Sequence, residues 1–189
     1  GFGDNLVKSM AEGKTIMTDK LEYESLETIV REPNLSDAKA VIGLLRHISR
    51  ESDFIMFDPA ITVERERELI GQYMSSRQDL FLVIEVDGQL VGLANLISRS
   101  HSRQSHVAEL GLAIVKEYWG YGMGTVLMEE MIDFAKERDL KVLTLEVMTE
   151  NQRALGLYHK FDFEEVGHLH KRIQIDYRYY DTFIMEKVL

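Results

Sequence analysis

The chain contains no cysteine. Without thiols it can form no disulfide framework, no thiolate metal site and no cysteine nucleophile. Proline is scarce, and no low-complexity tract or repeat of fixed period is present, which excludes a fibrous or disordered chain. No apolar run reaches the length of a membrane span, and the first residues lack the order of a signal peptide. We therefore expect a globular protein of the cytoplasm with no membrane partner.

Positive charge is also in short supply. The 22 basic residues are outnumbered by 32 acidic ones, which gives a formal net charge of −10. Such a surface repels polyanions, so no nucleic-acid partner is expected, whereas cationic small molecules or basic peptides would be attracted. The alternative is that the acidic surface serves only to keep the protein soluble.

The length of 189 residues and the 45% of hydrophobic residues fit one domain around one core. We expect residues 1–24 to be an N-terminal extension and residues 25–189 to be a single domain. Beyond the extension, apolar periodicity predicts the order β-α-α-β-β-β-α-β-α-β-β. The first helix is expected to follow Pro33 with Ser36 as its N-cap. Asp87-Gly88 predicts a hairpin, and the closing hairpin makes the sheet mixed.

Three glycines, Gly120, Gly122 and Gly124, lie between an apolar strand and a helix-like pattern. Glycine permits left-handed backbone and close approach. The first N–H groups of a helix have no intrahelical partner and lie at the positive end of its dipole. We therefore predict that main-chain amides here bind a phosphate; the alternative is a tight connection without a ligand. The dinucleotide fingerprint and the P-loop both fail on spacing.

Two segments carry a family resemblance. Trp119-Gly120-Tyr121-Gly122-Met123-Gly124 resembles the pyrophosphate loop of the GNAT superfamily (GCN5-related N-acetyltransferases), Arg/Gln-x-x-Gly-x-Gly/Ala, with Trp119 departing at the first position. The segment N151-QRALGLYHKFDF163 resembles the second signature, Asn-x-x-Ala-x-x-Leu-Tyr-x-Lys-x-Gly-Phe, with Asp162 in place of glycine. The pattern is similar to that of bacterial ribosomal-protein N-terminal and small-molecule acetyltransferases.

The resemblance implies a fold and a donor. The fold is an α/β (α+β) mixed sheet of about seven strands with four helices, splayed between strand four (LGLAIV) and strand five (KVLTLEV). The donor is acetyl-CoA, with no metal, and a homodimer is compatible. A β-bulge at Gly111 would open the strands. The residues implied to bind the donor are Leu112, Ala113, Ile114, Trp119, Gly120, Tyr121, Gly122, Met123, Gly124, Thr125 and Asn151.

Acyl transfer to a primary amine also needs two proton transfers. An alkylammonium, with a pKa of about 10.4, must lose a proton, and the departing thiolate must gain one. Tyr158 shares a helix face with Asn151 and matches the family position of the general acid. For the base, Glu146 resembles that of the ribosomal-protein enzymes and Glu109 lies near that of the histone-type members. A water chain is the third option.

Each candidate residue has a structural alternative. Tyr158 could pack in the core, and each glutamate could be an exposed carboxylate at a strand edge. His168 and His170 share a strand face, but no carboxylate pattern in the sequence supports a metal site. The functional alternative is a CoA-binding sensor or docking domain without turnover. The acceptor, whether polyamine, amino sugar, amino acid or protein N-terminus, is not specified by any motif.

Overall fold

The computed structural model describes residues 6–7 and 27–189. Within them the chain forms one mixed sheet in the order β1-β2-β3-β4-β5-β6-β8-β7. The strands are β1 Leu6–Val7, β2 Thr28–Arg31, β3 Leu80–Val86, β4 Gln89–Ser98, β5 Val107–Ile114, β6 Val142–Met148, β7 Glu164–Ile175 and β8 Arg178–Val188. The helices are α1 Ala38–Glu51, α2 Val63–Ser75, α3 Met123–Glu137 and α4 Gln152–Lys160.

The predicted order of elements is confirmed from β2 onward. Two residues of the expected extension, Leu6–Val7, form a short strand along β2, and the rest of residues 1–24 lies outside the described residues. Because β1 adds one strand at the edge, the predicted strands four and five are β5 and β6 here. The Asp87-Gly88 hairpin is confirmed, with both residues at positive φ between β3 and β4.

β5 and β6 lie side by side only at their first residues. Their parallel pairing covers Val107↔Val142, Ala108↔Leu143 and Glu109↔Thr144, and the two strands then separate. β5 stays paired with β4 along its length, and β6 with β8. The sheet is therefore split between two intact halves, as the fold prediction required.

The predicted bulge at Gly111 is wrong. The β4–β5 pairing runs without a register shift from Gly92↔Ile114 to Ser98↔Ala108. A Cβ at Gly111 would lie 3.2 Å from Oδ1 of Asn95. The missing side chain therefore makes room for the Asn95 amide, and the split forms without a bulge in this ladder.

The two faces of the sheet carry separate hydrophobic clusters. Alternate residues of a strand point to opposite faces, and β3 divides in this way. Leu82 and Ile84 join the larger cluster, which includes Leu127 and Met131 of α3. Phe81 and Val83 join a second cluster with residues of α1 and α2. Helix α3 thus packs in the larger cluster and α2 in the second, while α1 contributes to both, with Leu44 and Ile48 in the larger one.

The start of the first helix differs from the prediction. A 3₁₀ turn, Leu35–Asp37, precedes α1, and its cap is Asn34 rather than Ser36. The Asn34 Oδ1 accepts a hydrogen bond from the Ser36 amide at 3.0 Å, and the Asp37 carboxylate accepts one from the Asn34 amide at 2.8 Å. This reciprocal capping box moves the start two residues toward the N-terminus.

In α2, the charged segment ERERE (residues 64–68) is not fully exposed to solvent. Glu66 is buried, at 6% exposure, and burial raises the pKa of its carboxyl group. Its neighbours Arg65 and Arg67 are exposed. Helical spacing thus turns one charged residue of the run toward the protein.

Candidate active site

The glycine turn connects β5 to α3. After β5 a 3₁₀ turn covers Lys116–Tyr118, and Gly120 and Gly122 then take left-handed φ values of 82° and 78°. The left-handed region costs a residue with a Cβ about 1–2 kcal/mol, so these two glycines serve the backbone path. Gly124 serves packing instead, because a Cβ there would lie 3.1 Å from Cδ2 of Leu157 on α4.

The turn leaves the first amides of α3 available to a ligand. Gly122 is the N-cap and has no side chain to cap the helix. The first N–H groups of a helix, here those of Met123, Gly124 and Thr125, have no intrahelical acceptor. The positive end of the helix dipole lies at the same place. This end of α3 is therefore suited to an anion.

A cavity of about 610 Å³ opens beside the turn. Ten of the residues predicted to bind the donor line it: Leu112, Ala113, Ile114, Trp119, Gly120, Gly122, Met123, Gly124, Thr125 and Asn151. Tyr121 does not, because its side chain is buried in the core. The end of α1 and the loop after it also line the cavity, through Ile48, Ser52, Phe54 and Ile55. No role was predicted for these residues from the sequence.

Basic side chains concentrate near this cavity although the chain is acidic overall. The Arg153 guanidinium carbon lies 4.5 Å from the centre of the Trp119 ring, and Arg153 lines the cavity. The Lys160 Nζ donates a hydrogen bond to Thr125 Oγ1 at 3.0 Å. Neither residue was predicted to have a role, although Lys160 matches the lysine of the second family signature. Their spacing of seven residues, which places them on one face of α4, was the available signal.

Trp119 and Asn151 both stabilise the local backbone. The Trp119 indole N–H donates a hydrogen bond to the Ile114 carbonyl at 2.8 Å and so fastens the turn to the end of β5. The Asn151 Oδ1 accepts a hydrogen bond from the Ala154 amide at 3.2 Å, and Asn151 is the N-cap of α4. Contact of either side chain with a donor stays a prediction.

Tyr158 lies on the inner side of α4. Its ring is packed 5.9 Å from that of Phe163, and burial raises the pKa of its hydroxyl to about 12. Among the described residues, every fully buried side-chain oxygen or nitrogen has a hydrogen-bond partner. The Tyr158 hydroxyl has no such partner among these residues, so its oxygen is not fully buried and contacts solvent. Its neighbours Ala154 and Leu157 line the cavity, while Tyr158 does not.

Glu109 and Glu146 are exposed on the face of the sheet opposite α3. Ala108 and Leu110 beside Glu109, like Leu145 beside Glu146, are buried in the cluster around α3, so both carboxylates point the other way. The Glu146 carboxylate accepts a hydrogen bond from Thr182 Oγ1 at 2.6 Å. The structure thus places the candidate acid and the two candidate bases on opposite faces of the split sheet.

The mixed sheet that parts between two parallel strands is a fold shared with a solved acetyltransferase. An acetyltransferase of the GNAT family from Streptococcus pneumoniae superposes with a TM-score of 0.82 at 29% identity, covering 86% of this chain and 100% of that one. Residues 45–163 match the model of the acetyltransferase (GNAT) family. The chain therefore belongs to this family.

Relatives with assigned names cover part of the chain. A putative [ribosomal protein bS18]-alanine N-acetyltransferase of Bacillus subtilis is 36% identical over 87 residues, which are 46% of this chain and 55% of that protein. An L-amino acid N-acetyltransferase of Escherichia coli is 31% identical over 109 residues, which are 57% of this chain and 67% of that protein. Among the described residues, no helix has the length and apolar character needed to cross a bilayer.

The conformational demand on Gly120 can be tested against a helical glycine as a control. We expect Gly120→Ala to lower the free energy of unfolding by about 1–2 kcal/mol, because its φ of 82° is strained for alanine. Gly156→Ala, in the exposed middle of α4 with open space around it, should raise it by about 0.5–1 kcal/mol. Urea denaturation measures both. Equal effects of the two substitutions would contradict the assignment of the turn.

Proposed function

We propose that the protein is an acetyl-CoA-dependent N-acetyltransferase that acts on a primary amine by direct attack on the thioester. The observation that carries this proposal is the convergence of one cavity, the open N-terminus of α3 and the split between β5 and β6. Membership of the family supports the same reaction class.

The phosphates of the donor would be held by the N-terminus of α3 and by Arg153 and Lys160. Main-chain amides and a helix dipole suit a diphosphate, and the two cations add positive charge close to them. The pantetheine arm would lie along the edge of β5 at Leu112–Ile114, like an added strand, because β6 has left that edge unpaired. Bound in this way, the donor supplies an activated acetyl group.

Glu146 is better placed than Glu109 to take the proton of the attacking amine. Glu109 belongs to the last β5–β6 pair, opposite Thr144, at the closed end of the split. Glu146 lies two residues further along β6, where the strands have parted. The Thr182 hydroxyl that bonds it holds the carboxylate in position.

Tyr158 would supply the proton that the departing thiolate gains. Because burial holds the pKa of its hydroxyl at about 12, the phenol keeps its proton at all physiological pH values. Negative charge that develops on the acyl oxygen would be met by a main-chain N–H of Leu112–Ile114. The ammonium thus loses one proton to Glu146 before it attacks, and Glu146 passes that proton to solvent. When the C–N bond has formed and the C–S bond breaks, the phenol of Tyr158 protonates the thiolate, and the second proton of the nitrogen restores the phenol.

The net charge of −10 favours a cationic acceptor, and the relatives indicate which amines to compare. They include a spermidine N(1)-acetyltransferase of Vibrio cholerae, 29% identical over 127 residues, besides the two enzymes above. Polyamines, amino acids and peptides with N-terminal alanine are therefore the first acceptors to test. A cytoplasmic location and a homodimer are parts of the same proposal.

Turnover tests the proposal directly. We expect CoA to bind in the micromolar range typical of enzyme substrates, and thiol release from acetyl-CoA to rise with at least one class of amine. Calorimetry measures the first and a thiol-reactive dye the second. Binding of CoA with no thiol release across the whole panel would indicate a sensor instead of an enzyme. Failure to bind CoA would remove both readings.

The Tyr158→Phe variant tests the acid. We expect it to lower kcat by about 10²–10⁴-fold while the affinity for CoA stays unchanged, because the ring and its packing remain. The matched control is Tyr179→Phe, since Tyr179 is exposed on β8. In the unmodified protein, phenol ionisation should cause no loss of rate below about pH 11, given the raised pKa. Unchanged turnover in the variant would rule out the acid role.

The base is tested by comparing Glu146→Gln with Glu109→Gln. We expect the first to lower kcat/KM by about 10²-fold or more at neutral pH, with partial recovery toward pH 10 as the amine loses its proton in solution. The second should stay within about threefold of the unmodified protein, a difference of less than about 0.7 kcal/mol in barrier. The reverse order would assign the base to Glu109, and two silent variants would indicate a water chain.

A further inference from the structure

The hairpin of β7 and β8 is interrupted by an irregularity opposite Asp181. The pairing passes from Leu169↔Thr182 to Ile173↔Tyr180 with a register shift between them, so β7 has extra residues facing a short stretch of β8. Lys171, within that stretch, takes a left-handed φ of 51°. The shift brings His168 and His170 to the same aspartate on β8.

Both imidazoles converge on one carboxylate oxygen. The Nε2 of His168 lies 2.8 Å from Asp181 Oδ2, and the Nδ1 of His170 lies 3.3 Å from the same atom. The other oxygen of Asp181 accepts a hydrogen bond from the Lys171 amide at 2.9 Å, which fixes the direction of the carboxylate. The two imidazole rings are 4.7 Å apart between centres, and the edge of Phe183 supports His168 at 5.1 Å.

Two imidazoles and one carboxylate form a donor set that borderline divalent metals prefer. The three ligand atoms all lie within 4.8 Å of one another. Tetrahedral zinc ligands, at about 2.1 Å from the metal, are about 3.4 Å apart. The two histidine–aspartate distances, 2.8 Å and 3.3 Å, are close to that value, and the two imidazole nitrogens lie within 4.8 Å of each other, so they would move together on binding an ion.

We propose that His168, His170 and Asp181 form a site for a divalent transition-metal ion of the Zn²⁺ type. The histidines are exposed, so the ion enters from solvent and water completes its coordination. None of the three residues lines the cavity. The ion would link β7 to β8 across the register shift. The sequence predicted no metal because the carboxylate comes from another strand.

The same chain offers a matched control with one histidine and one carboxylate. His47 Nε2 lies 2.8 Å from Glu51 Oε1 on α1, the same distance as in the His168–Asp181 pair. Residues 27–189, however, contain a single three-ligand group, at the hairpin. We therefore expect the His47–Glu51 pair to bind a metal ion weakly and the three residues of the hairpin to bind it tightly.

The experiment titrates the full chain with Zn²⁺ by calorimetry, and with Co²⁺ by its visible absorption. We expect one ion per chain and a metal-dependent rise in the melting temperature. His170→Ala should weaken binding by about tenfold or more, since even the loss of an outer-shell partner costs about 10–100-fold. His168→Ala and Asp181→Asn should do the same, while His47→Ala should leave affinity unchanged. An excess of Mg²⁺ should not compete, because it prefers oxygen ligands.

Several outcomes would overturn the proposal. These are no stoichiometric binding, equal affinity in the His47→Ala and His170→Ala proteins, or Asp181→Asn with undiminished affinity. His170 is the most informative position, because its ring is largely exposed and its 3.3 Å contact is the longer one. Melting curves of each variant without metal establish that the hairpin still folds.

Discussion

The separation of β5 from β6 after three residue pairs is the constraint on which the rest of the proposed site depends. Each strand keeps its outer partner along its length, so the backbone edges that face each other across the split remain free of one another. Such edges are costly unless something pairs with them. An extended ligand arm would satisfy the edge of β5, and the same opening would connect the face covered by α3 with the face that carries Glu146.

Charge is distributed unevenly around this split. The protein is strongly acidic as a whole, yet Arg153, Lys160 and the dipole of α3 make one end of the cavity attractive to anions. The carboxylates of Glu109 and Glu146 lie on the other face. A polyanionic donor and a cationic acceptor would therefore be guided to different sides of the sheet and could occupy the site together without competing for the same surface.

Much of this arrangement could be predicted from local sequence patterns. The order of elements followed from apolar periodicity, and the glycine turn followed from the conformational demands of Gly120 and Gly122. The positions that failed depend on contacts between distant residues. The Gly111 bulge was wrong because the glycine makes room for Asn95 on the neighbouring strand. Asp181 was missed as a partner of the histidines because it lies opposite them only through a register shift, which cannot be predicted from a local sequence pattern.

The close contact of Gly124 with Leu157 fixes the distance between the N-terminus of α3 and the part of α4 that carries Tyr158. Helix α3 would grip the diphosphate, and α4 carries Tyr158 one residue beyond Leu157. Because Gly124 has no side chain, the backbone of α3 packs directly against the Leu157 side chain of α4. This contact would set the distance from a bound anion to the Tyr158 phenol. An extended pantetheine arm has a fixed maximum length, so this contact between the helices would set the span that the arm has to cover.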